Sequence, residues 1–388
     1  MIFSSILKLP TKYALRCRLW GHQDVILCLA VSNSGTLLAS GGFNGLRVWD
    51  LRKEVQLPQP LQMRSPKDPI TTITWLTQND SIQETLCCRT GLGYLLIWRQ
   101  RPHTVVKFEE VVARRISRGH EIMAIASDAG NGTGTRIVVM TQDKRVQTWT
   151  IDSRNRLSNV FSVELMTSIP HAVYLQGCDI IVFGMYDGDI HVLRSDNGMV
   201  VETRSTGMTT GSACVDKTGS LFIIDNAISG FSLHRLNDGS CIRTYNTKLL
   251  KMYPKQVAFA EDGMTIVGGS DNGLVYIFEM NTGTKRQVLW HSRMARTQTI
   301  MTYDGEDHTG IIAVSSNNDA DNMITVWKKP KRDLQLQPGK KESSLQALFR
   351  AIRATIQFLM QLLTIAFTVK LAYDVVVSYR LSNQLNTD

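Results

Sequence analysis

The stretch LLASGGFNGLRVWD, residues 37–50, carries the pattern that decides the fold. Two runs rich in apolar residues flank a turn made of glycine, phenylalanine and asparagine, and apolar residues alternate with other types in the second run. Alternation with a period of two is typical of a β-strand, and a tight turn between two such runs predicts an antiparallel hairpin. The stretch therefore predicts two neighbouring strands of one antiparallel sheet.

Similar stretches recur along the chain, and each ends in an aromatic or aliphatic residue. The distance between successive closing residues varies from 40 to 51 positions, which leaves room for four short strands in each of seven units. Because a single unit cannot cover both faces of its own sheet, seven units arranged around an axis predict an all-β, seven-bladed propeller over residues 1–327. The closing residues are Trp49, Trp98, Trp149, Leu193, Leu233, Phe278 and Trp327.

Two of these units resemble the repeats of WD-repeat proteins. The pair Gly21-His22 is followed by Trp49, 27 residues after the histidine, and Gly119-His120 is followed by Trp149, 29 residues after it. In that family the Gly-His histidine, a strand serine or threonine, a turn aspartate and the tryptophan form a hydrogen-bonded set that holds a blade together. The resemblance implies that such sets have a structural role here.

The residues that match these positions differ from unit to unit. Unit one has an asparagine, Asn44, five residues before its tryptophan in place of an aspartate six residues before it, and unit five lacks the whole set. The resemblance also implies that residues 13–20 supply the outer strand of the last blade, which closes the ring and removes exposed sheet edges. The matching residues are His22, Ser40 and Trp49 in unit one, His120, Asp143 and Trp149 in unit three, Asp187 in unit four, Asn272 in unit six, and Asp321 and Trp327 in unit seven.

The charge of the chain is concentrated near its C-terminus. Of the formal net charge of +9, residues 1–327 carry only +3, so the predicted propeller lacks the basicity that is typical of a nucleic-acid-binding domain. The seven cysteines include no C-x-x-C pair, and the histidines show no metal-ligand spacing. No nucleophile elbow, kinase signature or phosphate-binding loop is present either. The sequence thus predicts a protein without enzymatic activity, cofactor or metal.

One acidic loop leaves an alternative open. The stretch DGEDH, residues 304–308, combines three acidic side chains with an imidazole, a composition that also suits a divalent cation. A solvated loop is the ordinary interpretation of such a cluster.

The last part of the chain has a different composition. Residues 328–343 predict a basic linker, residues 344–381 a long hydrophobic helix with a membrane span at about 354–377, and residues 382–388 a short polar tail. Lys370 and Asp374 fall one helical turn apart near the far end of the span, where the ammonium group can reach water beside Tyr373. Arg350, Arg353 and the linker lysines precede the span and only Arg380 follows it, so the positive-inside rule predicts a single-pass C-terminal anchor with the propeller in the cytosol.

The same helix allows two other interpretations. A narrow polar stripe suits an interfacial helix or a helix that binds a partner, and in a spanning helix it would favour self-association. A helix folded back on the propeller is the third interpretation. The side chains proposed for self-association are Gln357, Gln361, Thr364 and Thr368.

These patterns favour a protein-interaction scaffold that is tethered to the cytosolic face of a membrane and binds protein partners through propeller loops. The alternative is a soluble adaptor subunit whose C-terminal amphipathic helix binds a partner. In architecture the chain is also similar to the exchange factor that activates the small GTPase of the ER export coat. That family uses a glycine-rich, lysine-containing loop in its first blades, whereas residues 52–68 contain no glycine.

Overall fold

The predicted propeller is confirmed by the structure, a computed structural model in which every regular element of the described residues is a β-strand. These strands form seven sheets of four strands each. In the described part of the chain, no helix is long and apolar enough to cross a membrane. The residues described are 12–58, 68–77, 83–101, 108–117, 120–129, 134–166, 168–248, 251, 253–292, 296–305, 307–314 and 322–331.

Each of the first six blades is an antiparallel meander of four consecutive strands. Blade one contains β2 (Ile26–Val31), β3 (Leu37–Gly42), β4 (Gly45–Asp50) and β5 (Val55–Gln56), and blade two contains β6 (Ile70–Leu76), β7 (Thr85–Thr90), β8 (Tyr94–Gln100) and β9 (Phe108–Arg115). Blade three contains β10 (Ile122–Ala129), β11 (Thr135–Thr141), β12 (Arg145–Ile151) and β13 (Leu157–Glu164), and blade four contains β14 (Pro170–Gln176), β15 (Asp179–Gly184), β16 (Asp189–Arg194) and β17 (Val200–Ser205). Blade five contains β18 (Ser212–Val215), β19 (Leu221–Asp225), β20 (Gly230–Arg235) and β21 (Cys241–Asn246), and blade six contains β22 (Val257–Ala260), β23 (Thr265–Gly268), β24 (Leu274–Glu279) and β25 (Lys285–Trp290).

Blade seven combines both ends of the propeller sequence. Its strands are β26 (Thr299–Asp304), β27 (His308–Val314), β28 (Met323–Pro330) and the N-terminal β1 (Ala14–Trp20). Strand β1 pairs antiparallel with β28, with Trp20 opposite Met323, so the predicted closure by an N-terminal strand is confirmed. Strand β28 continues to Pro330 because Lys329 pairs with Thr309 in β27. Strand β28 thus extends three residues beyond residue 327, where the sequence pattern places the end of the propeller.

The core lies between the blades, because both faces of each sheet are covered by a neighbour. All six residues of β3 are buried, and successive side chains point to opposite sides. Ala39 packs in a cluster with Trp75 of blade two, whereas Leu38 packs in a cluster with Ile312 of blade seven. This arrangement explains why central strands of the repeat are apolar at nearly every position.

The meander gives the ring two distinct faces. We call the upper face the one that carries the turns between second and third strands and the connections from each blade to the next, and the lower face the opposite one. The first strands of neighbouring blades contact one another around a central channel. Strand β28 ends at the lower face, where the backbone N–H of Lys331 donates to the carbonyl of Asp307 over 2.8 Å.

Lys331 at this lower face is the last residue that the structure describes. The predicted linker beyond that residue, the helix over residues 344–381 and its span at about 354–377 lie outside the described residues. The same holds for Asp321, Arg350, Arg353, Gln357, Gln361, Thr364, Thr368, Lys370, Tyr373, Asp374 and Arg380.

Candidate interaction surface

The three residues matched in blade one lie together at the upper face. Trp49 Nε1 donates to Ser40 Oγ over 2.8 Å, and Ser40 Oγ lies 2.7 Å from His22 Nε2. His22 Nδ1 lies 2.6 Å from Asn44 Oδ1. Because an amide oxygen only accepts, His22 Nδ1–H donates to Asn44. In a neutral ring the other nitrogen, Nε2, then accepts the proton of the serine hydroxyl. The network joins the connection before β2 to β3, to β4 and to the turn between them.

This network requires a neutral histidine. Burial lowers the pKa of His22 to about 4, and the hydrogen bond to Asn44 opposes that shift only in part. A protonated ring would carry a second N–H in place of the lone pair that accepts the serine proton. The blade-one set is therefore a structural network and offers no free base for catalysis.

Blade three does not contain the corresponding network. His120 is exposed, and the indole nitrogen of Trp149 donates to Gln147 Oε1 over 3.1 Å. Asp143 forms an ion pair with Arg145 at 3.3 Å. The prediction that His120, Asp143 and Trp149 act as one set is thus not met, because Gln147 on the same strand already accepts the tryptophan N–H.

The remaining predicted positions occupy separate environments. The Asp187 carboxylate accepts the backbone N–H of Asp189 over 3.0 Å and so stabilises its own turn. The side-chain oxygen of Asn272 is buried without a hydrogen-bond partner, so it does not replace the family's aspartate. Trp327 is buried in the core, with its ring 6.4 Å from that of His291 in an edge-to-face arrangement.

Two stapling histidines were missed by the sequence reasoning. His291 Nδ1 donates to Thr325 Oγ1 over 2.7 Å and so links the end of blade six to blade seven. His191 bridges Ser168 at 2.9 Å and Thr203 at 3.0 Å within blade four. His291 follows Trp290 at the end of an outer strand much as Gly21-His22 follows Trp20, and that position was the available signal.

Two acidic residues of the stretch 304–308 form ion pairs with basic side chains, and Glu306 lies outside the described residues. Lys217 Nζ contacts Asp304 at 2.8 Å and Asp262 at 2.9 Å, while Asp307 pairs with His308. No group of three or more metal-ligating side chains occurs in the described part of the chain. The contacts therefore favour a loop held by a lysine over a divalent-cation site.

The upper face presents apolar side chains on rigid turns. Four of the turns between second and third strands expose a large apolar or aromatic residue, and the connection before blade four exposes Met166, at 89%. Trp290, at 69% exposure, and Trp20 end the outer strands of the neighbouring blades six and seven at the same face. Exposed aromatic groups on a rigid scaffold are typical of protein-binding surfaces. The four turn residues are Phe43, Leu92, Tyr186 and Ile228.

Tyr186 is held in a conformation that disfavours a side chain. Its φ is 71°, in the left-handed region, which costs a non-glycine residue of order 1 kcal/mol or more. The backbone N–H of Tyr186 donates to the carbonyl of Thr210 over 3.0 Å, in the connection before blade five. The fold thus fixes an exposed tyrosine at the upper face, at a local cost in backbone free energy.

The turns of the lower face expose two large apolar side chains, Met199 and Met264.

Comparison with known families agrees with this description of blade one. Residues 14–50 match the family model described as "WD domain, G-beta repeat", and the matched stretch contains His22, Ser40 and Trp49. The match and the seven blades together support a WD-repeat β-propeller. A search of curated proteins found no significant match. A WD-repeat propeller suits a protein-interaction scaffold, and propellers of this kind commonly bind protein partners on their surfaces.

Proposed function

We propose that this propeller is a non-enzymatic scaffold that binds protein partners at its upper face and is tethered to the cytosolic face of a membrane by residues 354–377. The observation that carries the proposal is the set of exposed apolar side chains on upper-face turns. Apolar and aromatic side chains on turns of a rigid scaffold are typical of surfaces that bind protein partners.

The direction of the chain supports the tethering. Lys331 lies at the lower face, so a tail that continues from there begins on the side opposite the apolar turns. The basic residues that precede the span would keep the propeller on the cytosolic side of the membrane.

Two basic residues at the C-terminal end of the propeller already pair with acidic side chains of blade six. Lys329 Nζ lies 2.6 Å from Glu261 Oε2, and Lys331 Nζ lies 3.5 Å from Asp262. We therefore assign the contact with anionic lipid to the basic residues after Lys331, namely Arg332, Lys340 and Lys341.

Membrane fractionation tests the tethering. The full chain should remain in the membrane pellet after alkaline extraction, and a chain truncated after Lys341 should move to the supernatant. If the full chain is extracted at alkaline pH while it stays folded, the anchor is wrong and the soluble-adaptor alternative gains support.

A paired set of surface variants tests the docking face. We expect Phe43→Ser with Ile228→Ser to abolish proximity labelling of specific neighbours in the cell of origin, because both side chains leave the apolar surface. The matched control, Met199→Ser with Met264→Ser, makes the same change on the lower face and should retain those neighbours. If the lower-face pair loses the labelled neighbours and the upper-face pair retains them, partners bind at the lower face and the proposed docking face is wrong.

A further inference from the structure

Arg89 occupies a core position that is apolar in the neighbouring blades. It lies on β7 and pairs with Thr72, the first residue of β6 after an irregularity in register. The same irregularity follows the first residue of β2, β10 and β14. The residues of the second strand that correspond to Arg89 in blades one, three and four are Gly41, Met140 and Phe183. None of these three blades has a charged side chain at this place.

The guanidinium of Arg89 is buried with most of its donors free. The residue is only 3% exposed. Its Nη2 donates to the carbonyl of Met123 over 3.1 Å, but Nε and Nη1 are buried without a hydrogen-bond partner. Burial lowers the pKa of Arg89 to about 10, and Glu121 opposes that shift without reaching ion-pair distance. The side chain is thus a cation at neutral pH, and no carboxylate of the described residues neutralises it directly.

A second unpartnered group lies close by. His171 Nδ1 is buried without a hydrogen-bond partner. The pKa of His171 is lowered first by burial and then by the charge of Arg89. Strand β14, which carries His171, contacts strand β10, which carries Met123. Met123 and His171 are the residues skipped in the register of β10 and β14, and both border solvent at the upper end of the first strands. The two groups therefore lie at the upper mouth of the channel.

An uncompensated buried cation is costly, and proteins rarely retain one without a use. Removing a buried charge from such a position commonly stabilises a protein, whereas a functional site keeps it at the expense of stability. One positive charge beside a neutral imidazole matches a single negative charge better than a double one. A carboxylate meets this requirement and supplies two acceptor oxygens for the free donors.

We propose that Arg89, beside His171 and the carbonyl of Met123, is the anchor of a carboxylate-binding site at the upper mouth of the channel. A ligand enters by displacing the partly exposed side chains of Met123 and His171. This inference rests on the proposed function to the extent that the carboxylate belongs to a protein partner, as an acidic side chain or a chain terminus. The site itself is independent of the membrane anchor.

Thermal unfolding of the full chain in mild detergent tests the site, with tryptophan fluorescence as the readout. The probes are sodium acetate, N-acetylglutamate amide for a side-chain carboxylate, N-acetylglycine for a chain terminus, and inorganic phosphate, each compared with chloride at equal ionic strength. A carboxylate at ten times its dissociation constant should raise the melting temperature by about 2 °C. A larger rise with phosphate than with any carboxylate would overturn the assignment.

Two variants of Arg89 make the test specific. Arg89→Met should remove the response to carboxylates while the melting temperature in chloride stays at or above that of the parent chain. Arg89→Lys keeps the charge but loses the Nε and Nη1 donors, so it should weaken carboxylate binding by about tenfold even if the methionine variant does not fold. The control Arg156→Met, at an exposed ion pair of the lower face, should respond like the parent. A carboxylate response that is unchanged in either Arg89 variant, or absent in the parent, refutes the site.

These measurements separate the inference from the proposed function. Loss of membrane retention or of proximity labelling leaves the acetate response intact if the site is real. Conversely, a chain that binds partners at Phe43 and Ile228 but shows no carboxylate response retains its scaffold function without this site.

Discussion

Single hydroxyl groups decide how well the blades are held, and Ser40 is the clearest case. Its side chain is fully buried, accepts the Trp49 N–H and donates to His22. We expect Ser40→Ala to lower the free energy of unfolding by about 2–4 kcal/mol, because one buried donor and one buried acceptor lose their partner together. Urea unfolding followed by tryptophan fluorescence measures the change.

The same substitution at an exposed serine provides the control for Ser40. Ser158 is exposed on β13, and Ser158→Ala should change the free energy of unfolding by no more than about 0.5 kcal/mol. If both alanine variants have the same small effect, the blade-one network contributes no more than ordinary surface contacts.

Residue-level chemistry was only partly predictable from the sequence. The spacing from His22 to Trp49 identified a real network, whereas the similar spacing from His120 to Trp149 did not, because Gln147 accepts the indole N–H first. Sequence spacing records which residue types are available but does not report which partner reaches a donor. The sequence does mark Arg89, because its charge directly follows the apolar run LCC.

At the scale of whole elements, a buried ion pair joins blades five and six. Lys255, in the connection before β22, lies 3.2 Å from Asp225 at the end of β19, and both side chains are fully buried. Burial raises the pKa of Asp225 even though Lys255 is adjacent, so desolvation outweighs the attraction. We expect Asp225→Asn to cost about 3–5 kcal/mol, because it leaves the Lys255 charge buried without a counter-charge.

The double variant distinguishes charge from packing at this joint. Asp225→Asn combined with Lys255→Met should recover most of the free energy lost in the single variant, since no isolated charge then remains. Unfolding free energies of the parent, both single variants and the double variant complete the cycle. A double variant as unstable as Asp225→Asn alone would indicate that the lost hydrogen bonds, and not the charge, account for the cost.

The ring closure gives a second prediction at this scale. Deleting residues 1–20 removes β1 and leaves β28 as an open edge, with the Leu19 contact to the core lost. We expect the truncated chain to elute as aggregates in size-exclusion chromatography, because an unpaired apolar edge recruits other chains. A chain that lacks only residues 1–11 keeps β1 and should elute like the parent. Monomeric behaviour of both truncations would show that β1 is dispensable.

Elements were easier to predict than their limits or their chemistry. Period-two alternation and the repeated turn gave the blade number even for blade five, which lacks the whole family set yet forms four strands. Strand β28 extends past residue 327 because Lys328 and Lys329, which look like linker in sequence, pair with β27. Backbone pairing at the end of a strand is insensitive to side-chain charge, so composition alone does not locate that end.

For the whole molecule, the buried histidines predict acid sensitivity well above the range where carboxylates titrate. Burial lowers the pKa of His22 and His291 to about 4, and it also lowers the pKa values of three further histidines. The folded state therefore favours the neutral rings, while the unfolded chain takes up protons near pH 6.5. Stability is complete above about pH 6.5 and falls toward pH 4, by up to about 1.4 kcal/mol per pH unit for each histidine. The three further residues are His171, His191 and His234.

Urea unfolding between pH 7.5 and pH 5 measures this slope, and single variants assign it. His22→Gln and His291→Gln should each reduce the pH dependence by about one proton, because glutamine keeps a polar side chain but does not titrate. His120→Gln, the same change at an exposed histidine, is the matched control. Stability that is constant from pH 7 to pH 5 would mean that these rings are not held neutral by the fold. The hydrogen bonds of His22 and His291 would then not depend on neutral rings.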